Sequence, residues 1–311
     1  MKNEKYILNP DFFMIPSYRI SPFSTRDIKF NADIPKSKDE LDTKILEKHG
    51  VGWNFLMTSG GRSAINVALT DLALEHDDII TILTPSNNNY VSGCVTKEIE
   101  TFCKWNRVVN KETKAIFIVH EFGKLYENID ELSVYNLPII EDYAHSFDSY
   151  DKRTVKGDYL IYSLPKFFPI QYGGFVLSKN KLPKAHDILN ENSNQYLRTV
   201  LNYYWDYIGE FSSLRKRNFK RLAELFSNVG FFPRFNYSEN ETPSVFMFKN
   251  NECEELKLDL LKNEMQAMGI ESSIFYGEQS FFIPVNHTLD YVDMQYIYDV
   301  FVNIKVNNEA C

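Results

Sequence analysis

The chain of 311 residues is poor in cysteine, and its four, Cys94, Cys103, Cys253 and Cys311, form no CxxC pair. No histidine cluster stands at zinc-ligand spacing, so neither a disulfide scaffold nor a metal site is expected. No apolar stretch approaches the about 18 residues that a membrane span needs. The start, MKNEKYILNP, has charge but no apolar core and no small-residue cleavage site, which speaks against a standard secretion signal. Positive charge is in deficit as well. Lys and Arg number 34 against 42 Asp and Glu, a net charge of −8, which argues against a partner that is nucleic acid or an anionic membrane. Internal repeats and low-complexity segments are missing. These absences together predict a reduced, cytoplasmic, globular protein. What the chain does have is bulk for a core: 24 Phe, 19 Tyr and 3 Trp within an apolar fraction of 44%. At about 150 residues per domain, its length predicts roughly two domains.

The first 40 residues are punctuated by Pro10, Pro16, Pro22 and Pro35 and hold no helical period, so residues 1–49 read as an arm that ends in a charged helix over 37–49. A helical period starts at Ser63. Short apolar runs then alternate with helical segments: DDIITILTP, KAIFIVHEFG, LPIIEDY, DYLIYSL and GGFVLS read as strands. That rhythm predicts an α/β fold with a mostly parallel sheet over residues 50–228. Residues 184–226 read as one or two long amphipathic helices. A strand at PSVFMF, a helix at ECEELKLDLLKNEMQAMG, a strand at IESSIFY and a helix from Asp290 then predict a small α/β domain over 229–311.

Ligands of such sheets bind at the carboxyl ends of the strands, which directs attention to the polar residues after each apolar run. In TSGGRSAI, residues 58–65, paired glycines open a helix and expose backbone N–H groups, a seat for phosphate; an ordinary glycine turn capped by Ser63 would look the same. In IIEDYAHS, Asp142 ends a buried strand and needs a partner, whereas as plain structure it would cap a turn and His145 would be a core histidine. In GDYLIYSLPKFFPIQYGG, Lys166 sits among Pro165, Phe167, Phe168 and Pro169, where a lowered amine pKa would suit covalent chemistry; a solvated loop lysine is the plain alternative. His120 ends a fourth apolar run, where a core histidine is the default. The order decides among these. An anion seat, a strand-end Asp and, 24 residues on, a strand-end Lys match the needs of pyridoxal 5′-phosphate: phosphate binding, a carboxylate for the pyridine nitrogen, and an amine for its aldehyde.

These segments resemble the DegT/DnrJ/StrS family of sugar-nucleotide aminotransferases, which have the type I fold of PLP-dependent transferases. The resemblance spans roughly residues 50–300 and rests on SGGRSAINVAL, on VHEFG followed by NIDEL, and above all on IIEDYAHS together with GDYLIYSLPKFFPIQYGG; GIESSIFY and FIPVNHTL are similar to the close of the family's small domain. It implies that Lys166 bonds the cofactor and carries its proton, that Asp142 pairs with the pyridine nitrogen, and that His145 meets the ring oxygen. It further implies that Gly61, Arg62, Ser63 and Ser163 hold the phosphate and that Tyr90, or Asn89 beside it, stacks on the ring, with His120 and Tyr172 toward the substrate. The implied reaction aminates a nucleotide-linked keto-sugar, with glutamate as donor, for a surface polysaccharide or similar glycan, in a homodimer. Two alternatives accompany it. Sugar dehydratases of this fold replace the lysine with His, against which Lys166 argues. A non-catalytic homologue would fit the compact length and the missing Asn-Tyr-Arg loop, for which Asn202-Tyr203 is the nearest match. Ser163 lies only three residues before Lys166, shorter than the commonest family spacing, and Asn286 stands where many members have His. Arg62 and Arg217, with the basic run 215–221, are the expected sources of local positive charge.

Overall fold

A computed structural model describes residues 16–35, 38–150, 155–182, 189–250 and 256–309. Cys253, Cys311 and residues 1–15 of the expected arm lie outside them. Two units share the chain: Phe23–Gly209 with Tyr237–Thr242, and Met1–Pro22 with Glu210–Asn236 and Pro243–Cys311.

The first is a sheet unit. In chain order it contains α1 (Thr25–Ala32), α2 (Leu41–His49), β1 (Asn54–Thr58), α3 (Gly61–Asp71), β2 (Ile79–Leu83), α4 (Gly93–Ile99) and β3 (Lys104–Asn106). There follow β4 (Thr113–Val119), β5 (Ile139–Asp142), β6 (Tyr159–Ser163), β7 (Gly174–Ser178) and α5 (Glu191–Trp205). Single 3₁₀ segments stand at Ile129–Tyr135 and Leu164–Lys166. The seven strands are ordered β1-β7-β6-β5-β4-β2-β3, and only β7 runs against its neighbours. The α/β fold with a large, mostly parallel sheet is therefore the fold found.

Alternation explains the two faces. Ala115 and Phe117 of β4 pack with Ala64, Val67 and Ala68 of α3 and Val95 of α4, while Ile116 and Ile118 face Ile129 and Leu132. Each of the buried Val, Ile, Leu and Phe side chains contributes about 1.5–3 kcal/mol. Where both faces are covered, the strands read as continuous apolar runs, which is why they stand out in the sequence. An aromatic group fills the other side of β6 and β7: Tyr143 stacks on Tyr162 and Tyr162 on Phe175, with centroids 5.4 and 4.5 Å apart, and Phe147 meets Phe168 edge-on at 4.7 Å.

The second unit contains nearly all of α6 (Ile208–Ser227), then β8 (Val245–Lys249), α7 (Leu258–Ala267), β9 (Ser273–Phe275), β10 (Ser280–Pro284) and α8 (Tyr291–Glu309). Its sheet is antiparallel, ordered β8-β10-β9. The central strand, β10, is the one absent from the expected strand–helix–strand–helix series. A tight turn at Gly277 (φ +91°) returns the chain directly, so no helix separates β9 from β10 to announce it. Phe226, Phe246, Phe248, Phe281 and Phe301 form the core of this unit. Tyr18 joins it through the backbone: its N–H donates to Gly269 O at 3.0 Å and its carbonyl accepts from Glu271 N at 2.8 Å. Among the described residues, no helix is long and apolar enough to cross a membrane.

Candidate active site

The alternation that builds the core also sorts the candidate residues. Ile140 of β5 packs in the layer beneath α3 and α4, so Asp142, two residues on, shares that face. Tyr159 and Ile161 of β6 lie in the same layer, which places Ser163 there too. Both side chains thus stand at the carboxyl edge of adjacent parallel strands, on the side where α3 begins.

Glycine brings α3 onto that edge. A Cβ on Gly61 would lie 3.1 Å from Ser163 Cβ, and one on Gly174 would lie 2.5 Å from Tyr162 O and 2.6 Å from the Gly60 carbonyl carbon. Gly173 N donates to Ser59 O at 2.9 Å, closing the same junction. The helix begins at Gly61, two residues before the expected start, with Gly60 in the cap position, so Ser63 is no N-cap. Its hydroxyl instead lies 2.7 Å from Ser59 Oγ. The bond from Ala64 N to Gly60 O, 3.1 Å, opens the helical ladder, and the N–H groups of Gly61, Arg62 and Ser63 precede it.

Lys166 ends the 3₁₀ turn that follows β6 directly, with Pro165 preceding it. Phe167 and Phe168 after it are buried against Phe147 at 5.0 and 4.7 Å, which fixes the turn. The Lys166 amine meets His145 Nε2. Asp142 is 5% exposed, and burial holds its carboxyl above the usual range, offset in part by the Ala144 N–H at 2.8 Å, by Lys166 and by His120.

His120 and Glu141 form a second, separate arrangement. Glu141 lies on the face opposite Asp142, 1% exposed, and its carboxylate accepts four hydrogen bonds: His120 Nε2 at 3.0 Å, Tyr143 Oη at 2.7 Å, Lys156 N at 2.9 Å and Gly157 N at 2.5 Å. Burial raises its pKa, but His120, Tyr143 and the Gly157 N–H outweigh it and hold the group below the usual range. Tyr126 N donates to His120 Nδ1 at 3.1 Å, which assigns the ring proton to Nε2. Both ring nitrogens of His120 are therefore engaged within the protein.

The remaining candidates are more scattered. Tyr90 sits on the loop after β2, 40% exposed, and Tyr172 stacks on Tyr196 of α5 at 6.0 Å. Arg62 is exposed at the start of α3 and donates to Cys94 Sγ at 3.2 Å. Burial raises the Cys94 thiol, yet Arg62, Ser92 and Lys166 bring it below the ordinary thiol range. Nothing in the sequence pointed to Cys94, because its partner is 32 residues away. Arg217 belongs to the second unit, where it donates to Asn218 Oδ1 at 2.9 Å and to Leu289 O at 3.2 Å, while Arg215 is fully buried, its pKa lowered to about 9 by that burial.

The family model described as "Putative PLP-dependent aminotransferase" matches residues 49–250. The chain belongs to this family of PLP-dependent aminotransferases. No curated protein matches it in sequence. Among solved structures, the aminotransferase TlmJ from Streptoalloteichus hindustanus is similar at a TM-score of 0.74 and 11% identity, over 94% of this chain and 100% of that one. Helicobacter pylori PseC, an aminotransferase involved in the biosynthesis of pseudoaminic acid, gives 0.73 and 14%, over 93% and 99%. A DegT DnrJ EryC1 StrS aminotransferase from Brucella abortus gives 0.66 and 15%, over 90% and 94%. At these identities the likeness is one of fold.

The aminotransferase's own residues fit its cofactor. The start of α3, packed on Ser163 through Gly61, has the form of an anion cradle that any side chain on Gly61 would narrow. A buried carboxyl pushed toward its neutral form gains most from a cation placed against it, which a protonated pyridine nitrogen supplies.

Proposed function

We propose that this aminotransferase transfers an amino group from glutamate to a nucleotide-linked keto-sugar, making an amino sugar for a surface polysaccharide or similar glycan. The observation that carries amino transfer is the convergence of Asp142, Ser163 and Lys166 on one edge of β5 and β6, beneath the start of α3. The sugar is supported by the likeness of fold to PseC. Pyridoxal 5′-phosphate, when bound, supplies the electron sink that lets an amino group move between carbon skeletons.

In this reading the tasks divide among the residues. Lys166 Nζ would hold the cofactor and would move a proton to and from the substrate carbon. Asp142 keeps the ring nitrogen protonated. His145 Nε2, which meets the lysine amine, would orient it and contact the cofactor ring. Gly61, Arg62, Ser63 and Ser163 would bind the phosphate, and Tyr90 would stack on the ring. Tyr172 and the ring of His120 border the substrate. The reading takes residues 1–49 as an arm, 50–228 as the cofactor domain and 229–311 as the small domain, in a cytoplasmic homodimer.

The test is incubation of the cofactor-loaded protein with glutamate and a panel of nucleotide keto-sugars, following 2-oxoglutarate. Formation of 2-oxoglutarate that depends on one keto-sugar is expected, and Lys166→Ala should lower its rate by about 10²–10⁴-fold. Transamination retained in Lys166→Ala would overturn the site, and a panel without turnover the substrate.

A further inference from the structure

Residues 121–124 close a tight turn after β4, in which Lys124 N donates to Glu121 O at 2.8 Å. Its two central residues both have left-handed backbone, Phe122 at φ +53° and Gly123 at φ +102°. This is the φ pattern of a type I′ turn, whose first central place ordinarily belongs to Asn, Asp or Gly. A bulky phenylalanine there is strained, and such strain persists only where the surroundings hold it. Here they do. Tyr237 Oη donates to Phe122 O at 3.1 Å, Gly123 N donates to Ser146 Oγ at 3.1 Å, and that hydroxyl donates to His120 O at 3.0 Å. Ser86 N fixes the Glu121 carboxylate at 2.9 Å.

The ring of Phe122 lies 4.9 Å from the ring of His145, tilted by 48°, and His145 Nε2 meets the Lys166 amine. We infer that Phe122 is a positioning residue for amino transfer: the strained turn holds its ring against His145 and so sets where the imidazole meets Lys166. The inference rests on the proposed role of Lys166 as the cofactor lysine. It accounts for an aromatic residue at a backbone position that suits asparagine, since asparagine would relax the turn but leave that face of the imidazole uncovered.

Two variants separate strain from contact. Phe122→Asn relaxes the backbone and removes the ring; Phe122→Tyr keeps both. Phe122→Asn should melt no lower than the parent protein while its kcat falls about tenfold with little change in the donor KM, as a displaced catalytic group would cause. In the cofactor-free protein, the NMR resonances of the His145 ring should shift on loss of the neighbouring ring current. Phe122→Tyr should restore both. The inference is overturned if Phe122→Asn leaves kcat and the His145 resonances unchanged, if Phe122→Tyr fails as badly, or if Phe122→Asn melts well below the parent. Borohydride trapping of the cofactor keeps the underlying reading apart. A trapped label that persists in Lys166→Ala sinks the role of the lysine, whereas a label that is lost while Phe122→Asn behaves as the parent sinks Phe122 alone.

Discussion

Glu141 and Asp142 are chain neighbours with opposite fates. Glu141 is buried with four donors and is held ionised; Asp142 is buried with the Ala144 N–H as its short-range donor and is pushed toward its neutral form. One carboxylate is satisfied by structure, and the other, on the proposed reading, is the one that meets the cofactor. The raised pKa sets the direction of a pH effect. Without cofactor, ionised Asp142 opposes folding at neutral pH, and that penalty fades as pH falls into the ordinary carboxylate range. Asp142→Asn should therefore raise the melting temperature of the cofactor-free protein at neutral pH, lose that advantage in acid, and weaken cofactor binding. Melting curves across pH decide it, and a gain that grows toward acid would refute the assignment. Asp142 and Lys166 stood out in the sequence because each closes an apolar run read as a strand, and Gly61 because a glycine pair opens a helical period. The Arg62–Cys94 contact and the left-handed Phe122 were not, since the first joins residues 32 apart and the second is a dihedral angle, for which a Phe-Gly pair gives no sign.

Among the elements, the junction of α3 with β6 and β7 is the least tolerant. Gly174 begins β7 with the Gly60 backbone on one side and Tyr162 O on the other, so a methyl group has nowhere to go. Gly174→Ala should cost about 1–3 kcal/mol in overpacking and lift the α3 start away from Ser163, so that cofactor affinity falls along with stability. Denaturant unfolding with a cofactor titration measures both, and unchanged affinity in a folded variant would remove the junction from the phosphate seat. The same scale explains what the sequence concealed. Helix α1 spans only eight residues, and its signal is local: Ser24 N donates to Asp27 Oδ2 at 2.6 Å in a capping box, within a stretch whose prolines suggested irregular chain. Strand β3 is three residues long, too short for a period to register. Strands β4 to β7 were the readable part because burial on both faces makes each begin or continue as an apolar run.

Taken whole, the molecule distributes its reporters unevenly. Trp53, Trp105 and Trp205, all the tryptophan it has, fall within Phe23–Gly209, so tryptophan fluorescence follows the sheet unit alone. Free cofactor at about 100 times its Kd should stabilise that unit by about 2.7 kcal/mol, seen as a later fluorescence transition in denaturant. Lys166→Ala should lose most of the shift, and a parent midpoint indifferent to cofactor would place the binding site elsewhere. Against the net charge of −8, Arg62 and Lys166 bring positive charge to the proposed cofactor edge beside the start of α3.

The backbone pairing of Tyr18 with Gly269 and Glu271 has a consequence for synthesis on the ribosome. Every residue of the sheet unit has been made once Thr242 is added, ahead of β8, whereas Tyr18 must wait for partners about 250 residues downstream. At about 5–20 residues per second, that wait lasts about 12 to 50 s. The nascent chain thus completes the sheet unit while Tyr18 is still without its strand-like partners, so a cofactor site on that unit, as proposed, would be complete in sequence before translation ends.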